Sequence, residues 1–120
     1  MTSQRLINKS PEEIVDHIIN MTKKADSTWK VIVKQPKSSF IQIKRKEIRM
    51  KISFSNIMKF SRGVFELMIW DNTINNRYIQ FDVNEEDLRH FINFNFTDLR
   101  DIERRAINLF IENTWKDNKH

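Results

Sequence analysis

The chain has 120 residues, 39% of them hydrophobic and 31% charged, with 21 Lys and Arg against 16 Asp and Glu for a net charge of +5. That length gives one domain, residues 1–120, with a core of its own, and the composition excludes disorder; no apolar run approaches the roughly 20 residues of a membrane-spanning helix. The absence of cysteine excludes disulfides, thiolate catalysis and Cys-ligated zinc, and a single glycine, Gly63, cannot build the glycine-rich loops that cradle phosphates.

The N-terminal segment shows no apolar stretch followed by a small-residue cleavage site, so a cytoplasmic location is expected. Ser10-Pro11-Glu12-Glu13 is a helix start. The Ser10 hydroxyl and the Glu13 carboxylate can satisfy each other's backbone amides, Pro11 sits where a missing N–H costs nothing, and both acids meet the positive helix end. A helix over 11–24 follows, with Ile14, Ile18, Met21 and Ala25 as its apolar stripe, widened by Val15 and Ile19.

Residues 28–34 alternate as a first strand, with Trp29, Val31 and Val33 on one side and Lys30, Ile32 and Lys34 on the other. Gln35-Pro36-Lys37-Ser38 is turn chemistry leading into a second strand over 39–45. Ile41 and Ile43 place the apolar side on odd positions, whereas Ile48, Met50, Ile52 and Phe54 place it on even ones. An apolar face changes parity only across a turn or a bulge, so the break falls near Arg45 to Glu47 and a third strand begins at Ile48.

Residues 55–62 read equally as one helical turn or a loop, and Gly63 permits the chain to turn. Residues 64–70 are apolar on both parities apart from Glu66, which predicts a central strand covered on both sides. After a loop over 71–76, a last strand over 77–83 turns Ile79, Phe81 and Val83 inward. Asn84 caps a helix opening on Glu85-Glu86-Asp87, with Leu88, Phe91 and Ile92 as its apolar side. Asn93 to Phe96 breaks it, and Thr97 caps a final helix reaching about Lys116. Its core positions are Leu99, Ile102, Ala106, Leu109 and Phe110. A second strip, Ile107, Ile111 and Trp115, implies burial on two sides or contact with another chain, such as a homodimer through this helix. The fold expected is α+β: a single antiparallel sheet of about five strands with one N-terminal and two C-terminal helices on one face.

The segment 34–51 holds seven cations against the single acid Glu47, a local +6 that exceeds the charge of the whole chain. The basicity is therefore confined to this β-structure. Lys30, Lys34, Lys37, Lys44, Arg45, Lys46, Arg49 and Lys51 are the candidate phosphate-binding residues. Phe40, Trp70 and Tyr78 fall on one parity class, and Trp70 and Tyr78 are the candidate base-stacking rings. Like charges facing each other across strands destabilise a sheet by about 0.2–1 kcal/mol per pair, a cost that a polyanion would remove. Aromatic rings beside them suit nucleic acid, DNA or RNA.

Rival readings exist. Lysines on an open sheet face also keep it solvated and discourage edge pairing. The same surface fits a regulator or inhibitor of the kind phages and plasmids encode, directed at an acidic protein partner. A nuclease would need Glu66, Asp71 and Asp82 gathered around a metal. His17, His90 and His120 lack any ligand spacing, and no serine sits on an elbow. No catalytic residue, metal or cofactor is therefore expected, and the reading is a non-enzymatic basic binding domain.

Overall fold

The computed structural model describes residues 8–25, 28–60, 62–73, 78–94 and 99–118. Among them the order is α1 (Pro11–Ala25), β1 (Lys30–Gln35), a 3₁₀ turn (Pro36–Ser38), β2 (Phe40–Arg45), β3 (Ile48–Ser53), α2 (Ser55–Phe60), β4 (Phe65–Asp71), β5 (Tyr78–Val83), α3 (Glu85–Asn93) and α4 (Leu99–Asn118). The strands form one antiparallel sheet in sequence order, β1-β2-β3-β4-β5, and the helices pack against it. The fold is α+β, as the order of elements predicts. No helix among the described residues is long and apolar enough to cross a membrane.

The start of α1 forms as its sequence dictates. The Glu13 N–H donates to the Ser10 hydroxyl at 3.2 Å, and the Ser10 N–H donates to Glu13 Oε1 at 3.0 Å. The Ser10 amide, then its hydroxyl, and then the charge of Lys9 hold the Glu13 carboxyl below its ordinary value of 4.5. Ile14, Val15, Ile18 and Met21 face the core, and the buried Thr22 hydroxyl donates back to the Ile18 carbonyl at 2.8 Å. Each such apolar side chain contributes about 1.5–3 kcal/mol by leaving water.

On β2, β3 and β4 burial alternates strictly, with Ile41, Ile43, Met50, Ile52, Leu67 and Ile69 inaccessible to solvent. The break in parity lies at the two-residue turn Lys46-Glu47, where Arg45 pairs with Ile48. Two turn residues take left-handed backbone without being glycine, Ser39 at φ 62° and Lys46 at φ 54°. A Cβ in that region costs about 1–2 kcal/mol. Gly63 does not adopt positive φ, so the chain's one glycine is not used for the conformational freedom expected of it.

Two strand expectations are corrected. In β1 the pairing runs Val31↔Ile43 and then Val33↔Gln42, so Ile32 is an extra residue in a β-bulge. Past the bulge every side chain changes face. Val33 therefore leaves the core side and Lys34, opposite Ile41, moves to it. In β4, Phe65, Leu67, Ile69 and Asp71 are buried, whereas Glu66, Met68 and Trp70 remain partly exposed. This strand is covered on one side only; its apolar residues on both parities serve two different surfaces.

The helical layer closes one core. Ile14 and Ile18 of α1, Ile57 of α2, Phe91 of α3 and Ile102 of α4 belong to a single buried cluster with the inner side of the sheet. Asn84 caps α3, its Oδ1 accepting from the Asp87 N–H at 2.8 Å. The other end of α3 is held from the sheet side. Trp29 Nε1–H donates to the Ile92 carbonyl at 2.8 Å and Arg45 Nη2 to the Phe94 carbonyl at 2.7 Å, with the guanidinium 4.3 Å from the Trp29 ring centroid. These bonds satisfy carbonyls that a helix C-terminus leaves without intrahelical partners. On α4, Leu99 and Ile102 are buried, Ala106 and Leu109 pack against the core, and Ile107 is exposed. The expected Thr97 cap and the side chains of Phe110, Ile111 and Trp115 lie outside the described residues.

Candidate nucleic-acid interface

The register of the five strands arranges the outer side of the sheet into three transverse rows. The first is Lys30, Lys44, Arg49, Trp70 and Tyr78, one residue from each strand. The second is Val33, Gln42, Lys51, Met68 and Gln80. The third is Gln35, Phe40, Ser53, Glu66 and Asp82. All of these side chains are partly or fully exposed. The surface is thus polar in the electrical sense, with cations and two aromatic rings at one end and two carboxylates at the other.

The two ends are four residues apart along β4, from Trp70 to Glu66, or about 13 Å at roughly 3.3 Å per residue. That separation exceeds the screening length of about 8 Å at physiological salt, so the acidic end does little to neutralise the basic one. Neighbouring strands lie about 4.8 Å apart, which puts Lys30, Lys44 and Arg49 in one short line. Among the described residues none of Lys30, Lys44, Lys46, Arg49 and Lys51 is in an ion pair; pairs elsewhere include Lys9–Glu13, His17–Glu85 and Arg89–Glu85.

Two of the cations lie on aromatic rings instead. The Arg49 guanidinium is 5.5 Å from the Trp70 centroid, and Lys51 Nζ is 4.5 Å from that of Phe40. Arg49 Nε is shielded from solvent and has no hydrogen-bond partner among the described residues. Tyr78, at the sheet edge, is 56% exposed. The rim at this end is tied together, since the Asn72 N–H donates to the Glu47 carbonyl at 2.8 Å and joins the β2–β3 turn to the chain leaving β4.

Of the residues singled out in the sequence, Lys30, Lys44, Arg49, Lys51, Trp70 and Tyr78 share this surface, and Lys46 projects from the turn at its basic end. Three do not join them. Arg45 is only 7% exposed and faces the helices. Lys34 is carried to the helix side by the bulge, beside Ile19 and Lys23. Lys37 sits in the 3₁₀ turn at the opposite end of the strands. No protein-family model, curated protein or solved structure matches the chain. The reading of this surface therefore rests on its own geometry.

The three acids considered for a nuclease are split. Glu66 and Asp82 face each other across β4 and β5 on the outer side, while Asp71 is buried on the inner side and accepts from the Thr73 amide and hydroxyl at 2.9 and 2.6 Å. No group of three or more metal-ligating side chains lies together among the described residues. One polar cluster went unread in the sequence. His17 on α1 bonds the buried Glu85 at the start of α3, and Arg89 Nη2 stands 4.0 Å from the same carboxylate. Glu85 looked like one more acid at a helix start, and nothing local marks it as the acid that turns toward α1.

Proposed function

We propose that the chain is a non-enzymatic binding domain that takes nucleic acid on the outer side of its sheet. The observation that carries the reading is the line Lys30–Lys44–Arg49, extended by Lys46 and Lys51, with no carboxylate matched to any of them among the described residues. Adjacent cations on neighbouring strands repel, and phosphates spaced along a chain are the counter-charge that relieves several of them at once. Trp70 and Tyr78 continue the same line, so rings and cations lie along one track.

Binding should weaken steeply with salt. If about five phosphates are neutralised, the slope of log affinity against log salt is about −3.5 on a single strand and about −4.5 on a duplex. The double substitution Lys44→Glu with Lys46→Glu, at an exposed turn and the strand beside it, should weaken binding by on the order of tenfold or more at low salt while leaving the fold intact. Gel shifts of mixed DNA and RNA across a salt series measure both. A flat response, or co-purification with one acidic protein and no shift of either nucleic acid, overturns the reading in favour of a protein-directed regulator.

A further inference from the structure

We infer that the ligand is a single strand lying across the β-strands, its phosphates over Lys30, Lys44 and Arg49 and its bases stacked on Trp70 and Tyr78; this rests on the reading of the sheet as a nucleic-acid surface. Three observations separate this from general attraction to polyanions. The first row runs from cations at β1 to rings at β5 without interruption, so a backbone lying over one half brings its bases to the other. In a duplex the base faces are stacked on one another and closed to a protein ring; in a single strand they are free.

The rings are also placed for use. Tyr78 lies at the free edge and is 56% exposed, with no neighbouring strand beyond it among the described residues. Trp70 is next in line, with the Arg49 guanidinium over its ring at 5.5 Å, so Tyr78 offers the more open ring of the two. The carboxylates Glu66 and Asp82 bound the other end, where an anionic backbone is repelled, so the track runs along the first row and not along the strands.

The test compares short unstructured single strands, a duplex of equal length and inorganic polyphosphate, each titrated against the full chain by fluorescence anisotropy or competition. Stacking contributes about 1–3 kcal/mol per base, so the single strand should bind roughly 5- to 150-fold more tightly than the duplex at equal salt. Tyr78→Ala should lower single-strand affinity by a similar factor and leave polyphosphate affinity unchanged, and Tyr78→Phe should restore it. Lys44→Glu should weaken all three ligands. Equal affinity for strand, duplex and polyphosphate, or a silent Tyr78→Ala in a chain whose circular dichroism is unaltered, overturns the single-strand inference and leaves the basic-face reading standing. Failure of all three ligands to bind removes both.

Discussion

Lys44 and Arg45 are sequence neighbours with opposite tasks. Strand alternation sends Lys44 to the outer row and Arg45 inward, where its guanidinium covers Trp29 and donates to the Phe94 carbonyl. A hydrogen bond from a charged donor contributes about 1.5–3 kcal/mol and a desolvated cation–π contact up to about 2. Arg45→Ala should therefore cost about 2–4 kcal/mol in urea unfolding, whereas Lys44→Gln should be neutral or stabilising by a few tenths, because it removes a repulsion. Equal losses for the two would contradict the division of labour. Both stand in one basic run and both are expected at the phosphate-binding surface; the alternation of β2 is what separates them in the structure. Lys34 is different: its place depends on a bulge three-dimensional pairing creates, and Val31-Ile32-Val33 carries no residue that announces one.

Among the elements, α1 was the most legible, because its start rests on contacts three residues apart. Ser10→Ala should destabilise the chain by about 1 kcal/mol at neutral pH, as loss of an N-cap side chain does. Since the Glu13 carboxyl is held below 4.5 in the folded chain, its contribution is complete above that value and disappears as the pH falls through the lowered one. Glu13→Gln should flatten that acid limb in denaturation midpoints measured from neutral pH downward, and an unchanged limb would place the dependence elsewhere. The β2–β3 connection was legible only as a break in parity. It is made by a lysine at φ 54°, where glycine or asparagine would be the usual signal. The strand β4 departs from its sequence pattern for a physical reason: Met68 and Trp70 are apolar but stand on the outer surface, and hydrophobicity does not say which surface an apolar residue serves.

At the scale of the molecule, the order of elements was enough to give a one-layer sheet with helices on a single side. The long-range pairings were not: Trp29 with Ile92, Arg45 with Phe94 and His17 with Glu85 join residues 63, 49 and 68 positions apart. The candidate site was half visible. Its cations were evident as a charge cluster, while their alignment with Trp70 and Tyr78 came from the register of five strands.

The kink at Ile32 bears on how copies of the chain behave toward one another. A straight outer strand exposes a run of amides and carbonyls that any second strand can dock onto, and an interrupted one does so poorly. With Ile32 unpaired and 42% exposed, β1 is a poor template for such growth. Deleting Ile32 would regularise β1 against β2 while leaving Lys34 on the side it now occupies. That variant should assemble progressively as its concentration rises in sedimentation runs, under conditions where the parent chain stays at constant mass.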